Sequence, residues 1–291
     1  MRNLILVSLA ALTLPCAAVP AQTNAFISDR ISVAARGSGP DIILIPGLAS
    51  SREVWEEVAA RLAGKHRLHL VQLRGFGDMP ARANATGPVA APAVAELARY
   101  IREMKLRRPA VIGHSMGGTI GMMLAARHPE LVGRLMVEDM VPFMGQMFAP
   151  TLDSARVLAN TMRDSLLAQH ARGQPGMLEQ MYPTMTRSES KRSLLLKGLQ
   201  ESHRPTVVNA FHELIVTDLR PELPKITAPV TVLYVAPQGQ PVTPEQFDAM
   251  MQQQYNGVGG VRLIRIPDAN HFIHFDALDR FLAEVDGFMR R

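Results

Sequence analysis

The stretch "AVIGHSMGGTIG", residues 110–121, decides how the rest of the chain is read. A short apolar run enters Gly113, His114, Ser115 and Gly117, a G-x-S-x-G pattern, and the helical stretch "GTIGMMLAARHP" follows up to Pro129. By composition alone such a pattern arises in roughly one chain in ten of this length. The setting is more specific than the pattern. A strand that ends in small residues and turns at once into a helix presents its serine at the top of a sheet, the arrangement of a nucleophile elbow. The plainer reading is a glycine-rich turn between a strand and a helix.

Outward from that turn, short apolar runs alternate with longer helical ones. Upstream, "DIILIPG" (41–47) reads as a buried strand ending in a turn, and residues 51–64 as a helix capped by Ser51 and stopped by Gly64. "HRLHLVQL" (66–73) is a strand leading into the loop "RGFGDMP", residues 91–104 are helical, and "RLMVEDMVP" (134–142) is the strand after the elbow helix. Such alternation predicts an α/β fold, a mostly parallel sheet flanked by helices on both faces. From about 143 to 219 only helical patterns appear. "TAPVTVLYVA" (227–236) restores the strand signal, followed by a helix from Pro244, the strand "VRLIRIP" and a last helix from Ala277. The expected organisation is a core of residues 22–142 and 220–291, interrupted by a helical cap or lid at 143–219.

Residues 1–21 have a different character. Arg2 precedes an apolar run from Leu4 to Leu14, and Val19 and Ala21 stand like the −3 and −1 positions of a signal-peptidase site. The run is short for a bilayer span, so the expectation is a signal peptide cleaved after Ala21, a periplasmic or secreted protein and no stable membrane span thereafter. The alternative is a retained N-terminal helix. The single cysteine, Cys16, lies inside this segment. Its lipidation is poorly served by Pro15, and cleavage would leave no thiol for disulfide or thiolate chemistry. Loss of Arg2 takes the formal charge from +5 to +4. The charges are scattered, which fits a solvated surface and gives no reason to expect nucleic acid as a partner. Nothing in the sequence specifies an oligomeric state.

Four stretches together resemble the α/β-hydrolase fold superfamily, of the serine esterase and lipase-like kind with a helical cap: "PGLASSREVW", "LRGFGD", "GHSMGG" and "IPDANHFIHFD". The resemblance covers essentially all of the mature chain. It implies Ser115 as nucleophile and the Met116 N–H as one oxyanion donor. Where relatives commonly carry His-Gly-x, this chain has Pro46, Gly47 and Leu48, so the Leu48 N–H maps to the second donor. The family pattern of a small or polar residue followed by His-Phe selects His271 as the base, and leaves His274 as a structural residue of the following helix. The H-x-x-H spacings of His66/His69 and His271/His274, without cysteine or HExxH, are weak metal signals. No metal and no cofactor are expected.

The acid is less direct. The usual family position, in a loop read Asp-x-x-x-Pro, falls on Gln240 when counted back from Pro244. An amide can hold a histidine tautomer but cannot offset the imidazolium charge. Other relatives carry the acid at the end of the preceding core strand, where this chain has Glu138 and Asp139. Neighbouring strand residues point to opposite faces, so only one can reach His271. A register three residues before Pro142 favours Asp139. Glu138 is the alternative, with Gln240, Glu245 or no acid behind it.

A serine nucleophile argues against the dehalogenase and epoxide-hydrolase branches of the superfamily, which use aspartate. The expected partner is a small-molecule ester with a small-to-medium hydrophobic acyl group. Other acyl or C–C bond hydrolysis, perhydrolysis, and a non-catalytic binding protein on the same fold are the alternatives. Met140, Met144, Met147, Met162, Met177, Met181 and Met185 include two sets at i, i+4 spacing. They read either as packing between cap helices or as an adaptable acyl pocket.

Overall fold

A computed structural model describes residues 26–237 and 242–290. The segment read as a signal peptide, with Cys16 and Ala21, and the Gln240 position lie outside the described residues. In chain order the core begins with β1 (Ile31–Arg36), β2 (Asp41–Ile45), α1 (Glu56–Leu62), β3 (Arg67–Leu73), α2 (Ala90–Glu103), β4 (Ala110–His114), α3 (Met116–Arg127) and β5 (Arg134–Glu138). Four helices follow: α4 (Leu152–Ala171), α5 (Met177–Met181), α6 (Glu189–Glu201) and α7 (Arg204–Val216). The core resumes with β6 (Val230–Tyr234), α8 (Pro244–Gln254), β7 (Arg262–Arg265), α9 (Ile273–Asp276) and α10 (Leu278–Met289).

The seven strands form one sheet in the order β1-β3-β2-β4-β5-β6-β7, with only β1 antiparallel. The sequence reading missed β1, an edge strand whose ISVAAR pattern is only partly buried. Interior strands such as β2 and β4 are buried almost throughout and mostly apolar because helices cover both faces. From β2 the chain steps outward to β3, then returns past β2 to β4. Ligands of open α/β sheets bind above the carboxyl ends of the strands at such a reversal. Pairing keeps those ends level: Ile45 lies opposite Gly113, His114 opposite Glu138, and Glu138 opposite Leu233. The loops that follow β2, β4, β5 and β6 therefore leave the sheet side by side.

Other boundaries shift for local reasons. The helix expected over 51–64 opens with a 3-10 turn, Arg52–Trp55, capped by the Ser51 hydroxyl. The strand expected through Pro142 ends at Glu138, because Asp139 takes a left-handed φ of +50° and turns the chain off the sheet. The helical segment leaves and rejoins the core at one neck, where the Leu219 N–H donates to the Pro142 carbonyl at 3.0 Å. It is anchored elsewhere too. The Glu213 carboxylate of α7 accepts from the backbone N–H groups of Val89, Ala90 and Ala91, satisfying the first amides of α2 from outside the core. Among the described residues no helix is long and apolar enough to cross a membrane.

Candidate active site

Ser115 sits between β4 and α3 with φ +51° and ψ −119°, a conformation that costs energy for a residue with a side chain. Close backbone packing keeps it there. A Cβ at residue 113 would collide with the Gly117 carbonyl, and one at residue 117 with the Ile45 carbonyl, so both outer glycines of the motif are needed for the turn to close. The Ser115 N–H donates to the Glu138 carbonyl at 2.8 Å, and its own carbonyl accepts from Gly118 and Thr119. Eleven of the twelve α3 residues are buried, so the helix behind the serine cannot give way.

His271 Nδ1 lies 2.6 Å from Asp139 Oδ2. The same carboxylate accepts the Val235 N–H on Oδ1 at 3.0 Å, and the Asp139 N–H donates to the Leu233 carbonyl. With Nδ1 engaged, Nε2 is the ring nitrogen left for Ser115, which faces the same cavity. No Ser115–His271 hydrogen bond is formed, a looseness common before substrate binds. The peptide groups around His271 are pinned. The Asn270 N–H donates to Asp276, the His271 carbonyl lies 3.1 Å from His114 Nε2, and the Phe272 N–H donates to the Met185 carbonyl. Complete burial, with the charges of His271 and His274 adding to it, pushes the His114 pKa well below its ordinary value. His114 therefore acts as a neutral donor through Nε2.

Glu138 does not reach His271, which corrects the alternative acid. It is wholly buried and pairs with His274: its Oε1 lies 2.8 Å from Nδ1 and 2.9 Å from the His274 amide nitrogen. Adjacent carboxylates thus serve two histidines three residues apart. Glu245 lies near Arg265, 4.0 Å away, and belongs to the surface. His274 is stacked on Trp55 at 4.4 Å, consistent with the structural role expected for it. His69 of the other H-x-x-H pair is engaged by Tyr100 and Asp41. Among the described residues no group of three or more His, Cys, Asp and Glu gathers as metal ligands.

Leu48 and Met116 follow β2 and β4 on either side of the serine. Among the described residues neither backbone N–H has a hydrogen-bond acceptor within the protein, so both are available as donors. Gly47 packs directly against the elbow, since a Cβ there would stand 2.9 Å from His114 Nδ1 and 3.2 Å from the Ser115 Cβ. A cavity of about 350 Å³ opens over this point. Ser115, Asp139 and His271 line it together with Met140, Met144, Met147, Met177, Met181, Met185 and Met251. Six of the seven methionines singled out in the sequence are on its wall, and Met162 is not. That favours the pocket reading over packing alone.

Comparison with known proteins places the fold. Residues 42–284 match the Alpha/beta hydrolase family. The chain belongs to that family. A pimeloyl-acyl-carrier-protein methyl ester esterase of Nitrosomonas europaea is 24% identical over 263 residues, covering 88% of this chain and 98% of that protein. An N-formylmaleamate deformylase of Pseudomonas putida is 25% identical over 264 residues, covering 87% and 90%. Among solved structures, an esterase from Exiguobacterium antarcticum superposes with a TM-score of 0.74 at 20% identity, over 90% of this chain and 96% of that one.

This α/β hydrolase holds three site features that sequence reasoning missed. Met251 of α8 joins the cavity wall from outside the helical segment. Tyr182, 2% exposed, lines the cavity and donates its hydroxyl to the Leu48 carbonyl at 2.6 Å. Tyr255 donates to the Met140 carbonyl at 2.6 Å beneath the acid. Its pKa is driven well upward by burial and by the nearby Asp139 charge. A Tyr at helical spacing looks like any core aromatic, so no local signal marked these two.

The two carboxylates should separate in a stability experiment. Removing one partner of a buried pair leaves the other unsatisfied, so Glu138→Ala should cost about 3–5 kcal/mol in urea unfolding. Asp139→Asn keeps an acceptor for Val235 and should cost less than about 1 kcal/mol. Equal losses in the two variants would refute the division of roles.

Proposed function

We propose that this chain is an exported serine hydrolase that cleaves carboxylic esters with small-to-medium apolar acyl groups. The convergence of Ser115 and the Asp139–His271 pair at an apolar cavity carries the reading. In this reading His271 Nε2 takes the Ser115 Oγ proton as the oxygen attacks the ester carbonyl. The oxyanion is held by the Leu48 and Met116 N–H groups, and His271 returns the proton to the departing alkoxide. Water then resolves the acyl-enzyme by the same route. Asp139 orients the ring and offsets the imidazolium charge. No Lys, Arg or Glu is among the described residues that line the cavity, which supports an uncharged acyl group over a charged one. The thioether wall supports adaptability to chain length.

The test is a panel of p-nitrophenyl esters of increasing chain length, with fluorophosphonate labelling of the folded protein. Ser115→Ala should abolish turnover and labelling. Asp139→Asn should lower kcat on the order of 10⁴, the loss seen for the equivalent change in the best-studied triad, with a much smaller change in KM. A folded wild-type protein that is neither labelled nor active on any ester would overturn the reading in favour of a binding protein.

Residues 143–219 are proposed to act as a cap, with its mobile part in α4 and α5. Beyond the neck, its hydrogen bonds to the core come from Gln146, residues 182–188, Lys191, Ser202, His203 and α7, and among the described residues α4 and α5 make none. Hydrogen exchange should be fastest in α4 and α5. Protection there equal to that of the sheet would count against a moving cap. Export is proposed from the N-terminal pattern, and intact-mass analysis of protein recovered from outside the cytoplasm should give a chain beginning at Gln22. A chain that keeps residues 1–21 would contradict cleavage.

A further inference from the structure

Tyr182 opens the 3-10 turn Tyr182–Met185, just after α5. Its hydroxyl reaches out of the helical segment to the loop after β2, where it donates to the Leu48 carbonyl at 2.6 Å. Ser50 Oγ donates to the same oxygen at 3.2 Å. The next residue, Ala49, has φ +47°, in the left-handed region that a residue with a Cβ rarely occupies. Something must hold that conformation, and these two hydroxyls are placed to do so. Burial drives the Tyr182 pKa upward, so the phenol remains a donor throughout the working range.

The stretch that begins at Tyr182 also binds the other side of the site. The Met185 carbonyl accepts the Phe272 N–H at 3.1 Å, and the Thr184 carbonyl accepts from Asn270 Nδ2 at 3.0 Å, on either side of His271. Asp276 then accepts from the Thr186 hydroxyl at 2.6 Å. Residues 182–188 are therefore a strap between the Leu48 loop and the His271 loop.

We propose that Tyr182 is a positioning residue for the oxyanion hole, its O–H fixing the Leu48–Ala49 peptide and thereby the direction of the Leu48 N–H. The inference rests on the proposed esterase reading and adds to it. A helical segment that shapes the acyl pocket also sets a donor of the reaction. The tie matters only when negative charge develops on the substrate oxygen, because preorganised donors are aimed at that state and not at the ground-state carbonyl.

The test is Tyr182→Phe, which keeps the ring on the cavity wall and removes one oxygen. Loss of a whole oxyanion donor costs about 10²–10³ in kcat, so a misdirected one should cost roughly tenfold. KM for a p-nitrophenyl ester should change less than about twofold. An aryl boronic acid, which forms a tetrahedral adduct on Ser115, should lose affinity by the same factor as kcat/KM. Inhibition by a neutral amide analogue of the substrate, whose carbonyl oxygen carries no developed charge, should not change. A merely structural role would move all of these together, or none.

Ser50→Ala removes the weaker donor to the same carbonyl, and should show the same split at about threefold. It carries the test if Tyr182→Phe does not fold. Wild-type kcat and boronate affinity in the folded variants would overturn the positioning role while leaving the esterase reading intact. An unlabelled, inactive wild type would overturn the esterase reading instead.

Discussion

Two residues at the end of β5 set the geometry on which the site depends. Glu138 is the last residue of β5, and its backbone and side chain tie it to three neighbours. Its carbonyl takes the Ser115 N–H, its strand pairing keeps it level with His114 and Leu233, and its carboxyl group takes His274. One residue later the backbone turns left-handed, and the Asp139 carboxylate meets His271. Ser115, Asp139 and His271 are thus referred to the same short stretch of chain. Displacing β5 by one residue would exchange the buried carboxyl for the one at the cavity and break both pairs at once. A buried polar pair is poor evidence of net stability, and in some proteins it serves to specify register instead. That is how we read Glu138–His274.

Around this fixed point the chain mixes rigid and adaptable parts. Backbone contacts at Gly113 and Gly117 and the buried helix α3 hold the strained serine from behind. In front stand flexible thioethers, which can fill or vacate space without rearranging the backbone. A single aspartate, Asp276, accepts from Asn270 and Thr186 together, so the loop that carries His271 and the strap from the helical segment share an anchor. Preorganisation of this kind is what electrostatic stabilisation of a developing charge requires, since the donors need not be reoriented during the reaction.

Much of this was legible in the sequence, and what was not has identifiable causes. Buried parallel strands read as continuous apolar runs, and the G-x-S-x-G turn has small residues for a steric reason, so core and elbow both leave local signals. The edge strand β1 leaves none, because only one of its six residues is fully buried and it pairs only with β3. Alternation along one strand implies that only one of Glu138 and Asp139 can reach His271, and the register three residues before Pro142 selects Asp139, yet Asp139 is not in the strand. It is the left-handed turn at residue 139 that sends the two side chains to different histidines. Tyr182 could not have been found from sequence at all. Its partner lies 134 positions away, and its role comes from where a hydroxyl meets a carbonyl in space.

The position of the acid also explains the loop after β6. Where that loop supplies the carboxylate, it must hold a charged group against the histidine. Here Val235 contributes only its N–H to Asp139 Oδ1, while Val235 and Pro237 are among the residues that line the cavity. Asp139 is then held by its own N–H on Leu233, by Val235 on one oxygen and by His271 on the other. A carboxylate with its partners on both oxygens can be withdrawn from water without being left unsatisfied. With the carboxylate on Asp139, one strand inward, Val235 and Pro237 are left to form part of the apolar wall of the cavity.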